Sequence, residues 1–349
     1  MGDDQKTGAT IHDVAREAGV STATVSRVIN DHSLVSEATR RRVRSAIESL
    51  SYNPNQAARS LKTGTSRTVG VIVPELASEF FMLLVEAIER KLAAHGYSLV
   101  ICSSYENVDE EKRRLALLIE RLADAVIVIP AADTGAHLRA LQAQGTPLIF
   151  VDRTVTGCAA DTILVDNEGG AFEATSALIA DGHRRVGFVG GDPHVSTSRE
   201  RYNGYARAMK TAGLVLEEEF VRFGPAHREW GFRAMEEMAT LPDRPDAFFL
   251  VNLYTHIGAT DFMLSRGRDG AGEDAGPGGP VFAAFDEMPY SSFLPFCRYA
   301  VAQPIAEMGA AAARLVIDRI TGKRTGAPSV LRLPTRVIRH RDVRGPMVY

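Results

Sequence analysis

Between Thr68 and Asp286 the chain repeats one pattern: a short, almost continuously apolar run that ends on a small or polar residue. The runs are VGVIVP (69–74), SLVICSS (98–104), AVIVIP (125–130), PLIFVD (147–152), RVGFVGG (185–191), AFFLVN (247–252) and VFAAFD (281–286). A strand with one wet face alternates apolar and polar residues. A run that is apolar at every position is buried on both faces, as in a parallel sheet covered by helices. Helical stretches lie between the first four runs, near 79–95, 109–121 and 134–144. Strands alternating with helices specify an open, doubly wound α/β sheet, and this many units predicts two such subdomains. A Gly-rich stretch, RDGAGEDAGPGGP (268–280), reads as a surface loop.

The N-terminal part follows another period. In TIHDVAREAGVSTATVSRVIN (10–30), Ile11, Val14, Ala15 and Ala18, then Val25, Val28 and Ile29, recur at helical spacing. Thr10 and Asp13 form a capping pair for a first helix, Gly19 stops it, and Ser21 caps a second. Two short helices around a Gly-containing turn make a helix-turn-helix, whose second helix enters the DNA major groove by its N-terminal part. Thr22, Ala23, Ser26 and Arg27 are left outside. A short Thr or Ala permits close approach, and Arg27 can bond a guanine edge bidentately. The alternative is a plain amphipathic surface hairpin. Charge favours DNA slightly: residues 1–68 hold ten Lys/Arg against seven Asp/Glu, and the remainder holds 30 against 36.

Ser36 caps a third helix, SEATRRRVRSAIESL, with Val43, Ile47 and Leu50 inward. Its arginines (Arg40, Arg41, Arg42, Arg44) are either phosphate contacts or a solvated face. Asn55 to Lys62 (NQAARSLK) has helical composition but is too short to be stable alone, so it is expected to fold on DNA. Residues 1–9 read as a flexible tail, 10–54 as the all-α DNA-binding domain and 55–67 as hinge helix and linker.

Several classes are disfavoured. Cys102, Cys158 and Cys297 form no CxxC pair or disulfide framework, which suits a reducing, cytoplasmic location. The start, MGDDQKTG, lacks the features of a signal peptide, and no run is long enough to span a membrane. No GxGxxG, P-loop, HExxH, GxSxG or Cys/His metal spacing occurs, so no enzyme, cofactor or metal is expected.

Ligands of open α/β sheets sit at strand carboxyl ends. Asp152, Asn252 and Asp286 end three runs, Gln303 ends the strand YAVAQ, Arg201 follows the run at 185–191, and Phe80 and Phe81 follow the first run. Carboxylates, amides and an arginine beside an aromatic wall suit a polyol. Strand-end Asp and Asn also cap the next helix, an alternative that the sequence leaves open. Arg201 and Asp286 are expected to serve the ligand rather than the fold.

The words TIHDVAREAGVS, TVSRVIN and YNPNQAARSLKTG resemble the DNA-binding domain of the bacterial lactose/galactose repressor (LacI/GalR) family. VDNEGGAFEATSALIADGHRRVGFVGG, SRERYNGY and QPIAEMGAAAARLVIDRITGK extend the resemblance over the core. It implies a periplasmic-binding-protein-like core (68–349), with an N-subdomain of about 68–166 plus 303–328 and a C-subdomain of about 167–302 plus 329–349. It implies a homodimer on a pseudo-palindromic operator in double-stranded DNA. The DNA contacts implied are Ser21, Thr22, Ala23, Thr24, Arg27, Asn30, Asn55, Ala58, Leu61 and Lys62, with Leu61 as a minor-groove wedge or, alternatively, a linker residue packed on its own domain. A small-molecule effector, in this reading a sugar, would meet Phe80, Phe81, Asp152, Arg153, Arg201, Asn252, Asp286 and Gln303. The function implied is a transcriptional repressor. The alternatives are an effector-activated form or an activator answering a nucleobase or sugar phosphate, and, outside the family, a sugar-binding protein without regulatory role. Three departures stand out: Leu253 follows Asn252 where the family places an Asp, the loop at 270–279 is long, and no Leu heptad tail precedes Tyr349.

Overall fold

The computed structural model describes residues 9–29, 34–52, 65–120, 123–143, 145–268 and 280–340. The chain forms two compact units that meet in sequence at Ser66/Arg67.

The first unit holds α1 (Ile11–Glu17), α2 (Thr22–Ile29) and α3 (Glu37–Ser49). Helices this short are marginal alone in water. They are held by one shared core of Val14, Ala15, Ala18, Val25, Val28, Val43 and Ala46, against which Ile11, Ile29, Ile47 and Leu50, also expected to face inward, pack while only partly buried. Thr10 and Asp13 form the full capping box at the start of α1. That hydrogen bonding from Thr10, with Arg16 nearby, holds the Asp13 carboxyl below its usual range. Gly19 turns the chain at φ +62°, a conformation that carries no Cβ penalty only for glycine.

The second unit contains two six-stranded sheets. The first is built from β1 (Thr68–Val73), β2 (Ser98–Ser103), β3 (Ala125–Val128), β4 (Leu148–Val151), β5 (Asp161–Val165) and β11 (Val330–Leu333). Its order is β11-β5-β4-β3-β1-β2, parallel throughout. The second is built from β6 (Val186–Gly190), β7 (Val221–Phe223), β8 (Ala247–Leu250), β9 (Val281–Phe285), β10 (Cys297–Ala302) and β12 (Arg336–Arg339). Its order is β12-β10-β9-β8-β6-β7, with only the edge strand β12 antiparallel. Helices α4 (Glu79–Ala93), α5 (Val108–Glu120), α6 (Ala136–Gln142) and α11 (Ile305–Ile320) go with the first sheet. Helices α7 (Asn167–Ala180), α8 (Ser196–Thr211), α9 (Arg228–Ala239) and α10 (Leu253–Arg268) go with the second. Central strands such as β3, β4 and β9 are buried at every position, as their unbroken apolar runs require. α7 and α8 touch so closely that a Cβ on Gly204 would lie 2.2 Å from the Glu168 carbonyl oxygen.

The chain passes between the sheets three times: after β5, after β10 and after β11. The last passage corrects the expected boundary. The resemblance places about 329–349 in the C-subdomain, yet β11 pairs with β5, Val330 opposite Thr162, so 330–333 belong to the first sheet. The crossing falls at Pro334-Thr335, where the Thr335 hydroxyl donates to the Asp166 carbonyl. The reason is a charge cluster at the root of β11. Asp161, nearly inaccessible, accepts from Arg319 Nε (2.7 Å), Arg324 Nη2 (2.9 Å) and the Ser329 amide (2.9 Å). Burial pushes its carboxyl up, but these donors outweigh burial and leave it below the usual value. Among the described residues no helix is long and apolar enough to cross a membrane.

Candidate functional site

In the first unit the candidate recognition helix is α2. The Thr24 amide donates to Ser21 Oγ at 3.2 Å, so Ser21 caps the helix as its position suggests. The Thr24 hydroxyl is 3.0 Å from the same oxygen. Val25 and Val28 turn into the core, whereas Ser21, Ala23 and Arg27 are exposed and Thr22 is half-buried. Of the predicted contacts on this helix, Ala23 and Arg27 are thus exposed, and Thr22 and Thr24 are half-buried. On α3, Arg41, Arg42 and Arg44 are exposed, and Arg40 is largely covered beside Glu37 at 3.5 Å. Asn30, Asn55, Ala58, Leu61 and Lys62 lie outside the described residues.

In the second unit a cavity of about 240 Å³ lies between the two sheets, at the carboxyl ends of their strands. All eight residues proposed for the effector line it: Phe80, Phe81, Asp152, Arg153, Arg201, Asn252, Asp286 and Gln303. The folding reason is the sheet topology. β4 and β9 occupy matching places in the two sheets, and the residue after each leaves the strand in the left-handed region, Asp152 at φ +70° and Asp286 at φ +73°. Asp tolerates that region better than most residues. Phe80 and Phe81, at the start of α4, meet edge to face with ring centres 5.3 Å apart and form the aromatic wall.

Hydrogen bonding distinguishes ligand-facing groups from structural ones. Asn252 takes the capping role left open by its strand-end position: its Oδ1 accepts from the Thr255 amide at 2.9 Å while its Nδ2 donates to the Ala226 carbonyl at 3.0 Å. Asp152 and Asp286 do not cap a helix. Gln303 Nε2 donates to Asp286 Oδ1 at 2.6 Å, which fixes the amide orientation because the carboxylate only accepts. Two acceptors buried in this cavity then have no partner among the described residues, Asp152 Oδ1 and Gln303 Oε1. Burial raises the Asp152 carboxyl above its usual value, against the pull of Arg153 and Arg201 and with the push of Asp286.

Arg201 is 6% exposed and spans both tasks. Its Nε donates to Asn167 Oδ1 at 2.9 Å, its Nη1 to the Val251 carbonyl at 2.7 Å, and its guanidinium lies 3.7 Å from the Phe285 ring centre. Burial lowers its pKa, opposed by Asp286 and Asp152. The expectation that Arg201 serves the ligand and not the fold is thereby corrected, because two of its donors satisfy buried acceptors of the protein itself.

Glu106 is a residue the sequence reading missed. It forks onto Arg153, with Nη1 and Nη2 at 2.7 and 2.8 Å from its carboxylate oxygens, while Nη1 also reaches the Pro130 carbonyl. Burial lowers the Arg153 pKa, but hydrogen bonding and charge from Glu106, then Asp152, reverse this and the net shift is upward. The available signal was position: Tyr105 and Glu106 follow the end of β2, and both adopt positive φ. Among the described residues no group of three or more His, Cys, Asp or Glu side chains is arranged to hold a metal ion.

The chain matches two family models: residues 10–55 match "bacterial regulatory proteins, lacI family", and residues 66–341 match "periplasmic binding proteins and sugar binding domain of LacI family". A transcriptional repressor, PurR, from Proteus mirabilis is 31% identical over 97% of this chain and 98% of its own length. A crystal structure from Burkholderia thailandensis, of a candidate ribose operon repressor, is 29% identical with a TM-score of 0.68, covering 78% of this chain and 99% of that one. The regulator CelR in complex with cellobiose is also 29% identical with a TM-score of 0.68, over 95% of this chain and 98% of that one.

Proposed function

The chain belongs to the lacI family of bacterial regulatory proteins, and we propose that the effector of this member is a neutral, single-ring sugar. The protein is a DNA-binding transcriptional repressor with an effector-binding core. The observation that carries the sugar reading is the pair of buried acceptors, Asp152 Oδ1 and Gln303 Oε1, that lack a partner among the described residues and share a cavity with the aromatic wall of Phe80 and Phe81. Sugar hydroxyls donate to such oxygens, and the apolar face of a sugar ring packs on aromatic rings. The cavity, about 240 Å³, sits below the roughly 300–1,000 Å³ typical of drug-sized ligands and suits one ring.

Charge argues against a phosphorylated effector. Glu75, Glu79, Asp152, Asp192 and Asp286 line the cavity, and of its two arginines Arg153 is already engaged by Glu106. A phosphate dianion would be brought towards several carboxylates, and Arg201 too already donates to Asn167 and the Val251 carbonyl. The two 29%-identical relatives, one a candidate ribose operon repressor and the other complexed with cellobiose, support the sugar class.

The DNA reading rests on α2. Ser21, Thr22, Ala23, Thr24, Arg27 and Asn30 read the major groove, and Asn55, Ala58, Leu61 and Lys62 act from the hinge. Two copies related by a two-fold axis match a pseudo-palindromic operator. Sugar affinity and operator affinity are coupled reciprocally. The test is calorimetric titration with free aldopentoses, aldohexoses and their phosphates, beside anisotropy on an operator fragment with each compound added. A neutral sugar should bind and shift operator affinity. Binding of only the phosphorylated compounds overturns the neutral-sugar reading.

A further inference from the structure

One apolar cluster crosses the cleft. The core of the first sheet gathers residues from β1, β3, β4, β5, α4 and α11, and two of its buried members come from the other subdomain: Leu253, 4% exposed, and Met288, 1% exposed. Leu253 is the first residue of α10, and Met288 lies in the loop after β9. Neither belongs to the cores of their own sheet. Ile257 and Leu294, also from the second subdomain, pack against the same cluster. At the same lip the Tyr254 hydroxyl donates to the Ala77 carbonyl at 2.7 Å, and the Tyr290 hydroxyl donates to Glu79.

We infer that Leu253 and Met288 form an apolar latch that sets the closure equilibrium of the two subdomains, and so act on effector affinity as positioning residues. The inference rests on the reading of the cleft as the effector site. Leu253 lines the cavity, whereas Met288 does not. A polar residue in place of Leu253 would leave closure to ligand contacts and to the polar pairs at the lip. A leucine there buries apolar surface in the closed form whichever ligand is bound, and apolar burial is the main non-directional driving force for association. The apparent affinity for any ligand of the closed form is reduced in proportion to the closed fraction. The latch therefore strengthens all such ligands by one common factor and leaves selectivity to Asp152, Arg201, Asp286 and Gln303.

The experiment compares the full-length parent with Leu253→Ala, Met288→Ala and Leu253→Met, using D-ribose and D-xylose as probes in calorimetry and small-angle scattering without sugar. Met288→Ala and Leu253→Ala should each weaken both sugars by a similar factor, on the order of tenfold, as expected for losing a few buried methylenes. The ribose-to-xylose ratio should stay constant, both variants should scatter as more open particles, and Leu253→Met should restore parental values. Parental affinity and dimensions in Met288→Ala overturn the latch, as does a loss confined to one sugar. If the parent binds neither sugar while the Ala variants still open in scattering, these pentoses are not the effector and the latch stands.

Discussion

Replacing Asp152 by Asn should separate what the cleft contributes to binding from what it costs the fold. Asp152 is 4% exposed, at φ +70°, with Oδ1 buried and without a partner among the described residues. Asn has nearly the same shape and also tolerates the left-handed region, so the backbone is not disturbed. A hydrogen bond to a charged group contributes about 1.5–3 kcal/mol against about 0.5–1.5 kcal/mol for a neutral one, so exchanging carboxylate for amide, which keeps an acceptor oxygen, should weaken sugar binding by about 1–1.5 kcal/mol, roughly 5- to 13-fold. Stability should move the other way. Burial disfavours the ionised carboxylate, and Asn has no charge to desolvate, so the variant should melt at a higher temperature at neutral pH. The pH dependence has a definite sign. Burial raises this carboxyl above the usual 3.8, so between 3.8 and the raised value the native state holds more protons than the unfolded chain. Native stability falls as pH rises across that window, and Asn abolishes the fall. The melting advantage of the variant should grow through the window and then stay level to neutral pH. The assays are calorimetric titration with the aldose that binds the parent best and melting curves over a pH series. Unchanged sugar affinity, or a lower melting temperature at neutral pH, refutes the reasoning.

Arg201→Ala should differ from Asp152→Asn by losing both properties. It strips the donors from Asn167 and the Val251 carbonyl, and removing one partner of a buried charged network costs about 3–5 kcal/mol of stability, read by denaturant unfolding. Asp161→Ala should cost a similar ~3–5 kcal/mol by freeing Arg319 and Arg324 at the root of β11, with sugar selectivity unchanged in calorimetry. Arg27→Ala should remove about 1–3 kcal/mol of operator binding in anisotropy while leaving binding to scrambled DNA nearly intact; equal loss on both would make Arg27 a phosphate contact. Gly204→Ala should destabilise the second subdomain by at least about 2 kcal/mol in thermal melts, because its Cβ would collide with the Glu168 carbonyl.

Local chemistry made much of this protein legible from sequence. The capping box at Thr10 and Asp13, the turn at Gly19 and the inward positions of Val25 and Val28 depend on neighbours within a few residues, and the structure realises each. Six of the seven apolar runs are buried strands, as a strand covered on both faces must be apolar throughout, but SLVICSS is an edge strand, β2, with Val100 and Ile101 exposed, because its place at the edge of the sheet is a tertiary fact. The strand-end rule pointed to Asp152, Asp286 and Gln303 because parallel strands deliver their carboxyl ends to one edge. Tertiary structure decided the rest. Whether a strand-end residue caps or waits for a ligand depends on the backbone that follows it: a helix starts at Leu253 and Asn252 caps it, whereas no helix starts after Asp152. Glu106 meets Arg153 across 47 residues of chain, a separation no local pattern encodes. The sheet that receives β11 is chosen by Asp161, Arg319 and Arg324, brought together from distant segments. Leu253 reads in sequence only as an apolar residue where a polar one is customary. That it belongs to the opposite subdomain's core follows from the packing of two sheets, because hydrophobic burial specifies how much surface must leave water and not which neighbour covers it.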